Sequence, residues 1–276
     1  MYHRLKTIRD IVSPSTIEKF NEIICSQLKQ QLTVKDHLGC GDHMLFFNPG
    51  DHRLSSDGYY SYLTPRNASG RHINFKRRMW VQGSLEFFRP IEYGKEYVCQ
   101  ENIIFVKKIR HDHFLRMSRD VTDIEGYLKL REFRTLVYTD SEPALASERS
   151  DREVKADALV RFTFTDVDIM KYSCLTSNTH RIHWDLNYCK NFEGYRDILV
   201  QGPFTAQLIM KVLELENVSG IKSIKYKNSN IIYRGTSVEV CVSSLNGGNV
   251  FVWIRDATNP KITYVESTVQ LCRASA

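Results

Sequence analysis

Between residues 79 and 138 apolar and polar positions tend to alternate, in runs near 79–88, 97–108, 113–121 and 128–138. A period of two sends successive side chains to opposite faces, so these runs predict β-strands with one apolar face. Pro90–Gly94 and Asp123–Gly126 predict the turns between them. Earlier in the chain, Ile17, Phe20, Ile24 and Leu28 recur at helical spacing, and Ser15 with Glu18 has the form of a capping box. A short strand is expected at 160–166. Residues 203–216 predict a helix: Pro203 suits the first helical position, and Phe204, Leu208, Val212 and Leu215 share a face. After Gly220 the period returns to two, through Ile224 and Tyr226, Val238, Val240 and Val242, Phe251 and Trp253, and Val265 to Leu271. Gly235 and Asn246-Gly247-Gly248 punctuate these strands.

Residues 140–157 are polar, Ser-rich and acidic, and predict a linker. It divides the chain into an N-terminal unit, 1–150, and a C-terminal unit, 151–276. Each unit reads as a helix followed by about four antiparallel strands. The expected fold class is α+β, an antiparallel sheet wrapped round a helix and used twice, which is the double hot-dog architecture.

Composition changes this picture little. The 276 residues are 42% hydrophobic and 25% charged, ample for a core, and contain no apolar run long enough to span a membrane. The net charge of +6 is compatible with a solvated surface or with a basic patch for an anionic partner, such as coenzyme A phosphates or an acidic carrier protein. The basic clusters Lys76-Arg77-Arg78 and Lys107-Lys108-Ile109-Arg110 are short and come without a nucleic-acid motif. Seven cysteines, an odd number with no CxxC pair, argue for reduced thiols. The first residues, MYHRLKTIRDIV, have the basic-apolar mix of a presequence, against which Asp10 counts.

The chemistry concentrates in Asn178-Thr179-His180-Arg181-Ile182-His183-Trp184-Asp185, followed by Val200-Gln201-Gly202-Pro203 at a helix start. A proton-transfer group beside a helix start with free amides suits chemistry next to a carbonyl. The first segment resembles the signature of the mitochondrial type-2 3-hydroxyacyl-thioester dehydratases, which belong to the MaoC-like hydratase group of hot-dog proteins. Gly194-Tyr195 and Leu199–Pro203 match elements that follow it in that family. Arg77-Arg78-Met79-Trp80, Gly83, Phe88-Arg89-Pro90, Gly94 and His43–Phe47 resemble upstream family segments. The resemblance covers roughly residues 43–271. It implies dehydration of a (3R)-hydroxyacyl thioester, on carrier protein or coenzyme A, to the trans-2-enoyl thioester in mitochondrial fatty acid synthesis. No cofactor and no metal are expected.

His183 is then the expected proton-transfer residue, since an imidazole titrates near neutrality. Asn178 stands where the broader group carries Asp. It cannot ionise, but it can hold the β-hydroxyl or product water, or cap a loop. The Gly202 N–H is the expected donor to the thioester oxygen as charge develops there. His180, Arg181, Gln201 and Pro203 are candidate substrate-binding residues. His180 can orient substrate or share the proton, and Arg181 can pair with Asp185 or meet a phosphate. One active site is expected, with the N-terminal unit covering the acyl chain, in a monomer acting as a pseudo-dimer or in a homodimer. The alternatives are a hydratase of a short dicarboxylic enoyl-CoA and a non-catalytic acyl-thioester-binding module. A thioesterase would need a carboxylate positioned for water, which Asn178 does not supply.

Overall fold

The computed structural model describes residues 3–28, 30–50, 53–66, 69–148, 158–245 and 248–272. The strands join in one ten-stranded sheet in which every pairing is antiparallel. They are β1 (His3–Ile11), β2 (Arg77–Phe87), β3 (Glu96–Ile109), β4 (Asp112–Asp123), β5 (Leu128–Thr139), β6 (Ala158–Thr163), β7 (Ile221–Asn228), β8 (Ser237–Leu245), β9 (Asn249–Asp256) and β10 (Thr263–Leu271). Their spatial order, β1-β3-β4-β5-β2-β7-β10-β9-β8-β6, is the same five-strand arrangement twice, mirrored about the β2–β7 seam. The seam pairs Gln82 with Lys227 through Glu86 with Ser223. Within it a Cβ on Gly83 would collide with the Tyr226 ring, so this position has room only for glycine.

The strand expectations match within a few residues, and the fold is the double hot-dog. Residues His3–Ile11 of the presequence-like segment form strand β1, with Ile8 turned into the core. Part of the expected linker, 149–157, and the turn residues 246–247 lie outside the described residues.

One helical expectation needs correction. Helix α1 (Pro14–Cys25) starts one residue before the expected capping box. Its N-cap is Ser13, which makes no side-chain cap, and Pro14 opens the helix. A capping box does exist, at Thr165 and Asp168, where it starts helix α2 (Asp166–Leu175), an element the sequence pattern did not reveal.

The two units fill their interiors differently. Helix α4 (Gly202–Leu215) fills the C-terminal unit, and Phe204 through Leu213 are all buried rather than one face alone. Its polar residues find partners inside: the Tyr172 hydroxyl donates to Gln207 at 2.6 Å, and Lys211 pairs with Asp42 at 2.8 Å. In the N-terminal unit the described residues between α1 and β2 form only 3₁₀ turns at Asp42–Leu45 and Ser61–Leu63. That interior carries a buried ionic network instead. Arg119 donates to Glu101 at 2.9 Å, to Glu132 at 3.0 Å and to the Phe47 carbonyl at 2.7 Å, and Arg134 donates to Glu132 at 2.7 Å.

Candidate active site

After α2 the chain passes through a left-handed Ser177 (φ +50°) into the motif segment. The Asn178 N–H donates back to the Ser173 carbonyl at 2.9 Å, and the Asn178 carboxamide oxygen accepts from the His180 N–H at 3.1 Å. This Asx turn leads into the 3₁₀ turn Arg181–His183. Asp185 caps the short helix α3 (Leu186–Tyr188), which runs into a π-helical turn, Cys189–Glu193. The extended residues before α4 then return beside the turn, with the Leu199 N–H donating to the Ile182 carbonyl at 2.9 Å.

The N-terminal unit clamps this segment. The Arg181 N–H donates to the Asp57 carbonyl at 2.8 Å, the Thr179 hydroxyl donates to the Gly58 carbonyl at 2.6 Å, and the Tyr60 hydroxyl donates to the Ser177 carbonyl at 2.8 Å. Gly58 has φ +79°, and a Cβ there would lie 2.6 Å from the Thr179 carbonyl oxygen. Only glycine permits both the conformation and the approach.

Between the units lies a cleft of about 490 Å³, the size of a ligand pocket. Asn178, His180, His183, Gly202 and Pro203 all line it. Met79, Trp80, Val137, Leu199 and Ile232 make much of the rest of the wall apolar.

His183 is buried, and its Nδ1 lies 2.9 Å from the Leu199 carbonyl oxygen. A carbonyl only accepts, so Nδ1 carries the hydrogen and Nε2 holds the lone pair. Burial pushes the imidazole down from its ordinary 6.5 to about 4, against the opposing effect of the Leu199 bond, so it is neutral at physiological pH. Gly202 is the first residue of α4, and its N–H is one of the four without an intrahelical acceptor. A Cβ at Gly202 would lie 2.9 Å from Asn228 Nδ2 and 3.4 Å from the Trp80 Cβ, so the glycine lets these neighbours close in.

Two expected ligands do not reach the cleft. Gln201 is fully buried on the far side of the α4 start, where its amide donates to the Ile169 carbonyl at 2.9 Å and to Ser173 Oγ at 2.8 Å. It ties α4 to α2. Arg181 turns away, donating to Asp185 at 2.7 and 3.1 Å and stacking over the Tyr188 ring.

Other residues at the site come from parts of the chain the motif reading did not reach. The rings of His180 and His183 meet edge-on, 5.4 Å apart. His180 Nε2 faces Asp57 Oδ2 at 3.6 Å and Glu193 Oε1 at 4.0 Å, and Tyr59 packs against its ring at 5.5 Å. Arg78 pairs with Asp57 at 3.3 Å and donates to the Tyr60 carbonyl at 3.1 Å and to Thr64 Oγ1 at 2.8 Å. Burial, with His183 and Arg78 adding to it, holds the His180 imidazole well below its ordinary range. Burial acts oppositely on Glu193, pushing its carboxyl from 4.5 up to about 7. Arg78 belongs to the Arg77–Trp80 segment noted in the sequence. Asp57 had only a turn-forming Asp-Gly as signal, and Glu193 had none. Among the described residues no group of three or more His, Cys, Asp or Glu could hold a metal ion.

The family model for hydroxyacyl-thioester dehydratase type 2 matches residues 41–234. A Saccharomyces cerevisiae protein named hydroxyacyl-thioester dehydratase type 2, mitochondrial, is 35% identical over 95% of this chain and 96% of its own length. A Schizosaccharomyces pombe protein of the same name is 24% identical, over 89% and 91%. A mesaconyl-C(4)-CoA hydratase of Chloroflexus aurantiacus is 28% identical over 62% of each chain. In fold, a MaoC-like dehydratase of Phytophthora capsici superposes with a TM-score of 0.73 at 13% identity, over 98% of this chain and 96% of the other. A sheet mirrored about one seam, a cleft across it that gathers the motif residues, and a match running nearly end to end all lead to one assignment: the chain belongs to the hydroxyacyl-thioester dehydratase type 2 family.

Proposed function

We propose that His183 removes the α-proton of a (3R)-3-hydroxyacyl thioester through Nε2. Its electron pair forms the Cα–Cβ double bond as the β-hydroxyl leaves, giving the trans-2-enoyl thioester and water. The enzyme is a hydro-lyase, and like its yeast relatives it is mitochondrial. The reading carries with it a role in fatty acid synthesis, with the acyl group on carrier protein or coenzyme A. The observation that carries it is the fixed tautomer of His183: Nδ1 is tied to the Leu199 carbonyl, and a neutral, proton-accepting Nε2 is left on the wall of the cleft.

The Gly202 N–H at the positive end of α4 stabilises the thioester oxygen as negative charge develops. Asn178 has its carboxamide oxygen taken by the His180 N–H, which leaves its amide hydrogens to hold the β-hydroxyl. Pro203 shapes the wall beside Gly202. Met79, Trp80 and Val137 of the N-terminal unit pack against the acyl chain, the cover expected of residues 1–150, while the C-terminal unit supplies the base.

A dicarboxylic substrate would want a free cation in the cleft. The two arginines there are engaged: Arg78 with Asp57, and Arg77 with Glu142 and with the Ser141, Asp140 and Glu193 carbonyls. This favours a monocarboxylic acyl thioester. The test is hydration of trans-2-enoyl-CoA and its carrier-protein counterpart, followed at the enoyl-thioester absorbance, with wild type and His183→Ala. Turnover by wild type and a loss of two orders of magnitude or more in folded His183→Ala is expected. Thioester binding without turnover by wild type would leave a binding module instead.

A further inference from the structure

Elimination needs an acid for the departing hydroxyl as well as a base for the α-proton. Asn178 supplies none, since a carboxamide does not ionise. Behind His180, however, lies a closed polar cluster. His180 Nε2 is buried there without a hydrogen-bond partner among the described residues, beside the Arg78–Asp57 ion pair and a buried Glu193 carboxyl that the Tyr188 hydroxyl approaches. His180 itself lines the cleft, and its Nε2 faces the carboxylates of Asp57 and Glu193.

Resting on the dehydratase reading, we propose that His180 is the catalytic acid and that Glu193, acting through it, is the positioning residue that supplies its proton. The α C–H bond breaks, and the proton goes to His183 Nε2. The electron pair becomes the double bond, the C–O bond breaks toward oxygen, and the oxygen takes the hydrogen from His180 Nδ1. His180 Nε2 takes the proton of the Glu193 carboxylic acid, so the imidazole changes tautomer and stays neutral. Water and enoyl thioester leave, the His183 proton passes to solvent, and Glu193 regains a proton.

The geometry asks for little movement. Closing the 4.0 Å separation between Glu193 Oε1 and His180 Nε2 by about 1 Å makes a hydrogen bond, a tightening common when substrate enters an empty site. Arg78 is the ion-pair partner of Asp57 at 3.3 Å, which leaves Glu193 as the carboxyl with the weaker claim on a cation. The charged and titratable groups around Glu193 are Asp57, Arg77 and Arg78 from the N-terminal unit, with His180, Tyr188 and Tyr195, and Cys189 on its own turn. Its elevated pKa of about 7 fits a proton held in reserve.

The test follows dehydration of a (3R)-hydroxyacyl-CoA from pH 5 to 9 for wild type, Glu193→Gln, Glu193→Asp, His180→Asn and the His180→Asn/Glu193→Gln double variant. A fall of kcat of about 100-fold is expected for Glu193→Gln. KM should stay within threefold, and the alkaline limb near pH 7 expected of wild type should vanish. Glu193→Asp should recover part of the rate, and the double variant should be no slower than His180→Asn alone. Wild-type kcat with an unchanged alkaline limb in Glu193→Gln overturns the relay. So do equal losses in Glu193→Gln and Glu193→Asp that track a lowered melting temperature. If wild type turns over and His183→Ala does not, either result removes only the relay. An inactive wild type removes the dehydratase reading itself.

Discussion

Glu193 makes a stability prediction independent of turnover. Its carboxyl titrates near 7 in the folded chain against an ordinary 4.5, because the side chain is buried. Between pH 4.5 and 7 the folded state therefore holds a proton that the unfolded state has released. A group whose folded value is raised contributes fully below the unfolded value and loses that contribution as pH rises through the folded one. The loss is 2.5 units at 1.36 kcal/mol per unit, or about 3 kcal/mol, complete by pH 8. Glu193→Gln has the same shape and nothing to ionise. Urea unfolding of both proteins at pH 4.5, 5.5, 6.5, 7.5 and 8 should show the variant gaining on wild type by about 3 kcal/mol across the series. The histidines act in the opposite sense: His183, with a folded value near 4, favours the folded state increasingly from pH 4 to 6.5, and His180 shifts the same way. Both proteins carry those slopes, so the difference isolates Glu193. A difference constant with pH would mean that Glu193 is ionised in the folded state throughout, and the argument would fail.

Gln201→Ala should cost about 3 kcal/mol in urea unfolding, through the lost bonds to Ile169 and Ser173 and the space left at the α2–α4 contact. Any KM change should be small, because the side chain faces away from the cleft. Gly202→Ala should fold with near-wild-type stability and lose at least tenfold in kcat, since its new Cβ forces Asn228 away and moves the α4 amide; wild-type kcat would show that the approach at this glycine is dispensable. Lys211→Ala should lower stability by about 4 kcal/mol by stranding the buried Asp42, and a Lys211→Met/Asp42→Leu double variant should recover most of that in the same unfolding assay.

The sheet was legible because strands facing a core on one side write that fact as alternation. Val238, Val240 and the fully buried Ile224 are examples. β1 was not, because its apolar positions are sparse among Arg4, Lys6, Arg9 and Asp10 at a sheet edge, where a presequence would look much the same. Helix α2 hid for another reason. Val167 and Met170 are exposed while Ile169 and Tyr172 are buried, so its apolar residues do not fall on one stripe. At the site, Asn178, His180, His183 and Gly202 lie within 25 positions and stand together in space. Gln201 shows the limit of adjacency: one residue before Gly202, at the α4 N-cap, the side chain points back to α2. Asp57 and Arg78 reach the motif across more than a hundred residues, through a clamp that no local pattern announces.

The mirrored strand order poses a further question, because a chain that repeats its sheet could repeat its site. The ingredients in the C-terminal unit are a turn that fixes a histidine tautomer and a helix whose first residue lines the cleft. Both depend on α4, since Leu199, which holds His183, belongs to the strand-like approach to that helix. The described residues between α1 and β2 contain no such helix, and Arg119, Glu132 and Glu101 occupy the interior there. Among the described residues, the mirrored position therefore offers no helix amide to an oxyanion. The same segment, freed from forming a helix, provides the Asp57–Tyr60 turn that grips the motif. The 3₁₀ turns of that stretch and its grip on the motif are thus two consequences of the same sequence.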